Sequence, residues 1–167
     1  MVCVGKKLGT IVIESKKKMS FSYYPDGGSV SFFIGSKTVD SFTTLSSPVD
    51  IYISSSSITG EINQLEVLSF GLFLSDIRTV TLRTTPAKIS KNAIIKLDDN
   101  VNFREKFYNN EKDTLFYLQD LNTKLNSIEV KAEKDPVSIL FLIDKQNVLK
   151  GFAIKGVKCV LEHELKY

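Results

Sequence analysis

His163 and Cys159 are the first residues to test for chemistry, because histidine is the usual proton carrier near neutral pH and a cysteine beside it can become a nucleophile. They lie four apart on one apolar alternation (Val157, Cys159, Leu161, His163, Leu165). On a strand that spacing is too long for a hydrogen bond, so a half-buried structural histidine is expected instead. The other cysteine, Cys3, lies at the far end of the chain, and with one histidine in the sequence no zinc ligand set or HExxH pattern is present. Asp98, Asn100 and Asn102 match the first three ligand positions of an EF-hand loop. The match then fails, with Phe103 where the loop requires glycine and Asn109 where it requires a bidentate glutamate. An Asp/Asn-rich turn accounts for these residues, and no cofactor is expected. Phosphate-binding loops and GxSxG are likewise missing. One catalytic route leaves no linear motif: Asp144 or Asp135 could meet Glu129 or Glu133 as a hydrolytic carboxylate pair.

A second chemistry is electrostatic. Lys6, Lys7, Lys16, Lys17 and Lys18 fall within the first eighteen residues beside one acid, Glu14, a net charge of +4 there against −1 for the remainder. Directly after them comes Pro25-Asp26-Gly27-Gly28, set between two aromatic-rich runs. Lysines next to exposed aromatics grip nucleic acid, the charges taking phosphates and the rings stacking on bases. Arginine, the preferred reader of base edges, occurs only as Arg78, Arg83 and Arg104. The competing explanation is that the lysines blunt an exposed strand edge.

The elements that hold these residues decide between the two. An Asp26-Gly27 turn of the hairpin hand pairs Tyr24 with Ser29, Tyr23 with Val30, Phe21 with Phe32 and Met19 with Ile34. Alternation then puts Met19, Phe21, Tyr23, Val30, Phe32 and Ile34 on a core face. Ser20, Ser22, Tyr24, Ser29, Ser31 and Phe33 go to solvent. Only Tyr24 and Phe33 are left for stacking, at opposite ends of the hairpin. The candidate binding residues are therefore Lys6, Lys7, Lys16, Lys17, Lys18, Tyr24 and Phe33.

Further strands are expected over residues 9–14, 49–53, 67–75, 78–83, 93–97 and 128–132. Residues 137–143 are continuously apolar, as in a strand buried on both faces. An Asp144-Lys145-Gln146-Asn147 turn leads from there into a strand over 148–154, and a last strand covers 157–165. The segment 30–34 (Val-Ser-Phe-Phe-Ile) is faintly echoed by 137–141 (Val-Ser-Ile-Leu-Phe). One helix is expected from a cap at Asn109 or Asn110. Glu111 and Asp113 would sit in its first turn, and Leu115, Leu118, Leu121, Asn122 and Leu125 would form its stripe. A shorter helix is expected near 102–108. Residues 36–59 are half Ser and Thr (12 of 24), which suits exposed loops and edge strands.

The fold class is thus mainly β, an antiparallel sandwich or barrel of roughly ten short strands with one or two helices, with α+β as the alternative. With 167 residues and 43% hydrophobic content a single domain is expected, divisible at most into a β-rich half (1–84) and a helix-plus-hairpin half (93–167). No apolar run approaches a membrane-spanning length, no signal-peptide pattern opens the chain, and two cysteines suggest a reducing, cytoplasmic-type compartment. The function expected is a non-enzymatic interaction or accessory subunit whose partner is another protein or a second copy. The alternatives are sequence-nonspecific nucleic-acid binding through the N-terminal lysines and carboxylate-based hydrolysis.

Overall fold

The computed structural model describes residues 10–14, 17–24, 29–34, 41–45, 51–56, 61–67, 84–88, 92–97, 105–109, 114–118 and 124–156. Every regular element among them is a strand, and no helix occurs there. The thirteen strands are β1 (Thr10–Glu14), β2 (Ser20–Tyr24), β3 (Ser29–Phe33), β4 (Ser41–Leu45), β5 (Ile51–Ser55), β6 (Ile62–Val67), β7 (Thr84–Pro86), β8 (Asn92–Lys96), β9 (Glu105–Asn109), β10 (Thr114–Leu118), β11 (Leu125–Lys131), β12 (Ser138–Ile143) and β13 (Leu149–Lys155).

They form a five-stranded sheet ordered β2-β3-β6-β5-β4, a six-stranded sheet ordered β7-β11-β12-β13-β10-β9, and a β1-β8 ribbon. All pairings are antiparallel except β7 with β11. The ribbon ties the larger sheets together, through a parallel bridge from Val12 on β1 to Glu61 and another from Lys96 on β8 to Val148. A third tie is Met19, which donates its N–H to Lys131 O (3.0 Å) and accepts from Glu133 N (3.0 Å).

One core lies between these layers. The ribbon supplies Ile11, Ile13 and Ile95, and the five-stranded sheet supplies Phe32, Ile53, Ile62 and Leu65. The six-stranded sheet adds Ile128, Val130, Ile139, Phe141, Ile143, Leu149, Phe152 and Ile154. β-Branched and aromatic residues dominate because they suit a pleated, half-buried surface. Each sheet contributes a directly opposed aromatic pair. Phe21 and Phe32 have centroids 5.4 Å apart, and Phe141 meets Phe152 edge-on at 5.5 Å and 70°. Such pairs add roughly 0.5–1.5 kcal/mol beyond burial. A smaller cluster of Leu118, Leu125, Leu142 and Ala153 lies on the other face of the six-stranded sheet. Burial on both sides is why 137–143 is apolar at every position but Ser138.

The hairpin register is as the turn chemistry predicts, with Tyr24 opposite Ser29, Tyr23 opposite Val30 and Phe21 opposite Phe32. It stops at Ser20 and Phe33, because Met19 is recruited by β11 rather than by Ile34. Ser31 departs from its expected solvent position. It is buried because β3 is interior to its sheet, and its hydroxyl donates to Glu66 Oε1 at 3.3 Å.

The predicted helix is replaced by strands where it is described. Residues 105–109 and 114–118 are β9 and β10, paired antiparallel, and Leu125 opens β11. The three-residue leucine spacing is outweighed by two aromatic pairs, Phe107-Tyr108 and Phe116-Tyr117. Both types are poor helix formers, and the open hydrogen-bonding side of β13 takes β10 as its partner. Leu121, Asn122, Glu111 and Asp113 lie outside the described residues, as do the predicted strands at 78–83 and 157–165 and most of that at 67–75.

The turn after β12 forms as expected. Asp144 O accepts from Asn147 N (3.1 Å), Asn147 takes a left-handed φ of 61°, and Asp144 Oδ1 accepts from Gln146 N (2.8 Å) and Val148 N (3.0 Å). This is a type I turn followed by a left-handed residue, the three-residue hairpin loop. A bulge within β6 has a larger effect. Ser54 pairs with Gln64 but Ser55 pairs with Ile62, leaving Asn63 as the extra residue. The shift lets Ile62 and Leu65, three apart, both face the core. No helix among the described residues is long and apolar enough to cross a membrane.

Candidate functional site

The N-terminal basic edge comes first. Lys6, Lys7 and Lys16 lie outside the described residues. Lys17 is partly buried and its ammonium donates to Glu61 Oε1 at 3.1 Å, which satisfies its charge within the protein. Lys18 is exposed. Tyr24 ends β2 opposite Ser29, and its side chain is outside the description. Phe33 is 44% exposed and lies opposite exposed Ser20. Met19 is buried between Lys18 and Ser20, both exposed, and Ser20 is the residue that pairs with Phe33. Among the described candidates, Lys18 and Phe33 are exposed and Lys17 is paired with Glu61.

The face that carries Phe33 continues across the sheet in two cross-strand rows. Ser20, Phe33, Gln64 and Ser54 make one, and Ser22, Ser31, Glu66 and Tyr52 the other. Ser31 and Ser54 within these rows are buried, and the rows carry hydroxyl and amide groups with one carboxylate, Glu66, and no cation.

A second polar site was not singled out by sequence reasoning. On the outer face of the six-stranded sheet, Ser138 lies directly between Lys131 on β11 and Lys155 on β13. Its hydroxyl donates to Glu129 Oε1 at 2.7 Å, and the Lys155 ammonium approaches the same oxygen at 3.6 Å. An open groove of about 410 Å³ runs over this cluster, lined also by Asp135, Pro136 and Gly156. Gly156 has φ +84°, and a Cβ there would overlap the carbonyl oxygen of Pro136. One signal for this site was present: Ser138 is the lone polar residue in an apolar run, and a buried hydroxyl must find an acceptor.

Of the candidate carboxylates, one expected pair, Asp135 with Glu129, lines a common groove, and Asp144 lies away from it. Asp144 caps the hairpin turn at the far end of β12, while Glu129 and Asp135 share the groove. Glu129 is already engaged by two donors, so as it stands it holds Ser138 and Lys155 in place rather than facing an incoming substrate. Among the described residues no three His, Cys, Asp or Glu side chains gather within metal-binding reach. Cys159, His163, Asp98, Asn100 and Asn102 lie outside the described residues.

The sheet margins complete the survey. Among the described residues, β2 and β4 are the end strands of the five-stranded sheet, and β7 and β9 those of the six-stranded one. Such edges leave backbone N–H and C=O groups without a ladder partner. Comparison of the chain with protein-family models, curated proteins and solved structures returned no match in any of the three.

Proposed function

We propose that the protein is a non-enzymatic interaction or accessory subunit that binds another protein through a sheet edge. The observation that carries this reading is β4, Ser41-Phe42-Thr43-Thr44-Leu45, a five-residue margin strand with no charge, no proline and no strand on its outer side among the described residues. An extended segment from a partner adds to such an edge by main-chain hydrogen bonds. Two cysteines in the whole chain fit work in a reducing compartment.

The test is affinity capture from source cells with immobilised full chain, compared with Thr43→Lys and Thr44→Lys. Successive residues alternate between the two faces of a strand, so the two substitutions sample both faces, and circular dichroism identifies the variant that keeps the fold. A partner retained by the native chain and lost from the folded lysine variant supports the reading. Identical capture by native and variant chains refutes it.

A second reading, nucleic-acid binding, is favoured by the exposure of both Lys18 and Phe33. Titration of fluorescent oligonucleotides should then give a log–log salt slope of roughly −3, from three or four phosphate contacts by the N-terminal lysines. No binding at low salt removes this reading.

A further inference from the structure

The groove over Ser138 is lined by two ammonium groups and two carboxylates, so its formal charge is zero. The four charges are not equivalent. Lys155 and Glu129 satisfy each other, with Nζ and Oε1 3.6 Å apart, and the buried Ser138 hydroxyl donates to that same oxygen. Together they make a floor whose charges cancel locally. Lys131 and Asp135 differ. Both are exposed and both line the groove, yet among the described residues neither forms an ion pair with the other or with a third group.

The walls that hold these two charges are fixed by backbone. Lys131 lies on β11 and Lys155 on β13, each directly opposite Ser138, so their strands are about 10 Å apart. Asp135 stands in the connection from β11 to β12, which is closed by the Ala132 N–H donating to Val137 O at 2.9 Å. On the far side, Gly156 lets the end of β13 lie against the carbonyl of Pro136. The cation comes from a strand and the anion from a tight connection, and the backbone keeps them from reaching one another.

We propose that this groove binds a small zwitterion, an amino acid or a short peptide, whose carboxylate meets Lys131 and whose ammonium meets Asp135. A ligand with one charge would satisfy one of these groups and lie beside the other uncompensated; a ligand with both satisfies both. The carboxylate goes to Lys131 rather than to Lys155, because the Lys155 ammonium is already shared with Glu129. Charge-assisted hydrogen bonds of this kind are the stronger class. The volume of about 410 Å³ falls within the roughly 300–1,000 Å³ of small-molecule sites. The groove is open and its charges are solvated, so the affinity is low and the selectivity comes from the pairing of both ends.

The experiment is a heteronuclear NMR titration of the full chain with four probes: alanine, trialanine, N-acetylated trialanine and trialanine amide. The expected result is saturable shifts at the amides of Lys131, Ala132, Ser138 and Gly156, with a zwitterion bound about tenfold or more tightly than either blocked peptide. Preference for trialanine or for alanine assigns the groove to peptide ends or to free amino acids, and either supports the proposal. Lys131→Gln and Asp135→Asn change exposed side chains. The first should weaken the zwitterion about tenfold and leave the amide unaffected, and the second should weaken it equally and leave the acetylated peptide unaffected. No saturable shift, blocked peptides bound as tightly as the zwitterion, or variants that bind it unchanged each overturn the proposal. The groove belongs to the six-stranded sheet and β4 to the other, so this outcome is separate from that of the capture comparison.

Discussion

Replacing Gly156 with alanine loads the end of β13 with two costs at once. The residue sits at φ +84°, where an L-residue with a Cβ is disfavoured by about 1–2 kcal/mol. The new methyl group would also overlap Pro136 O, a backbone atom that cannot rotate away. Relieving it requires the chain after β13 to move from the segment linking β11 and β12, at the roughly 1–3 kcal/mol typical of overpacked sites. The combined loss is about 3 kcal/mol. For 167 residues an unfolding entropy near 2.1 cal/mol/K per residue gives about 0.35 kcal/mol/K, so the melting temperature should fall by about 8–9 °C. Calorimetry reads this directly. Asn147 is the control, since it has φ 61° in an exposed turn, and Asn147→Gly removes the strain of a left-handed side-chain-bearing residue. That variant should be neutral or up to about 1 kcal/mol more stable. If Gly156→Ala costs under about 1 kcal/mol, the left-handed geometry and the close approach to Pro136 are both refuted.

Two other substitutions test the polar accounting. Asp144→Ala removes the acceptor of two backbone N–H groups and should cost about 1–3 kcal/mol in urea unfolding; Asp144→Asn, which keeps an acceptor oxygen, should recover part of it. Ser55 is fully buried and its hydroxyl has no hydrogen-bond partner among the described residues, so Ser55→Ala should raise stability by about 1 kcal/mol. A loss of similar size would show that this hydroxyl is bonded. Ser20→Ala, at an exposed position of β2, serves as the reference and should change stability little.

Much of the fold was legible locally. Turn residues flanked by alternating apolar positions specify the β2–β3 register, because a slip of one residue would turn every buried side chain to solvent. The apolar run at 137–143 and the Asp144–Asn147 turn predict the central β12–β13 hairpin for the same reason. Prediction failed where a neighbouring strand decided the outcome. Leu115 and Leu118 follow a helical spacing, yet the open side of β13 makes β10 a strand. Ser31 reads as a solvent position until β6 pairs beside it and supplies Glu66. Ile62 and Leu65 fit no strand alternation until Asn63 is seen as a bulge. The candidate lysines cluster in the sequence, but the pairing of Lys17 with Glu61, forty-four residues away, is a contact that alternation along one strand does not carry.

The chemistry this chain can attempt, and the faces its strands bury, follow from residue types and a two-residue period, both local properties. Which strands are neighbours follows from hydrogen-bond pairing between segments distant in the chain. That pairing places Ser138 between two lysines with Glu129 as its acceptor, and it puts β4 at one end of the described five-stranded sheet and β2 at the other. The lysines drew attention first because charge is visible in composition. An uncharged edge acquires meaning only from its place in the sheet, since a backbone N–H is left unpaired by what fails to lie beside it.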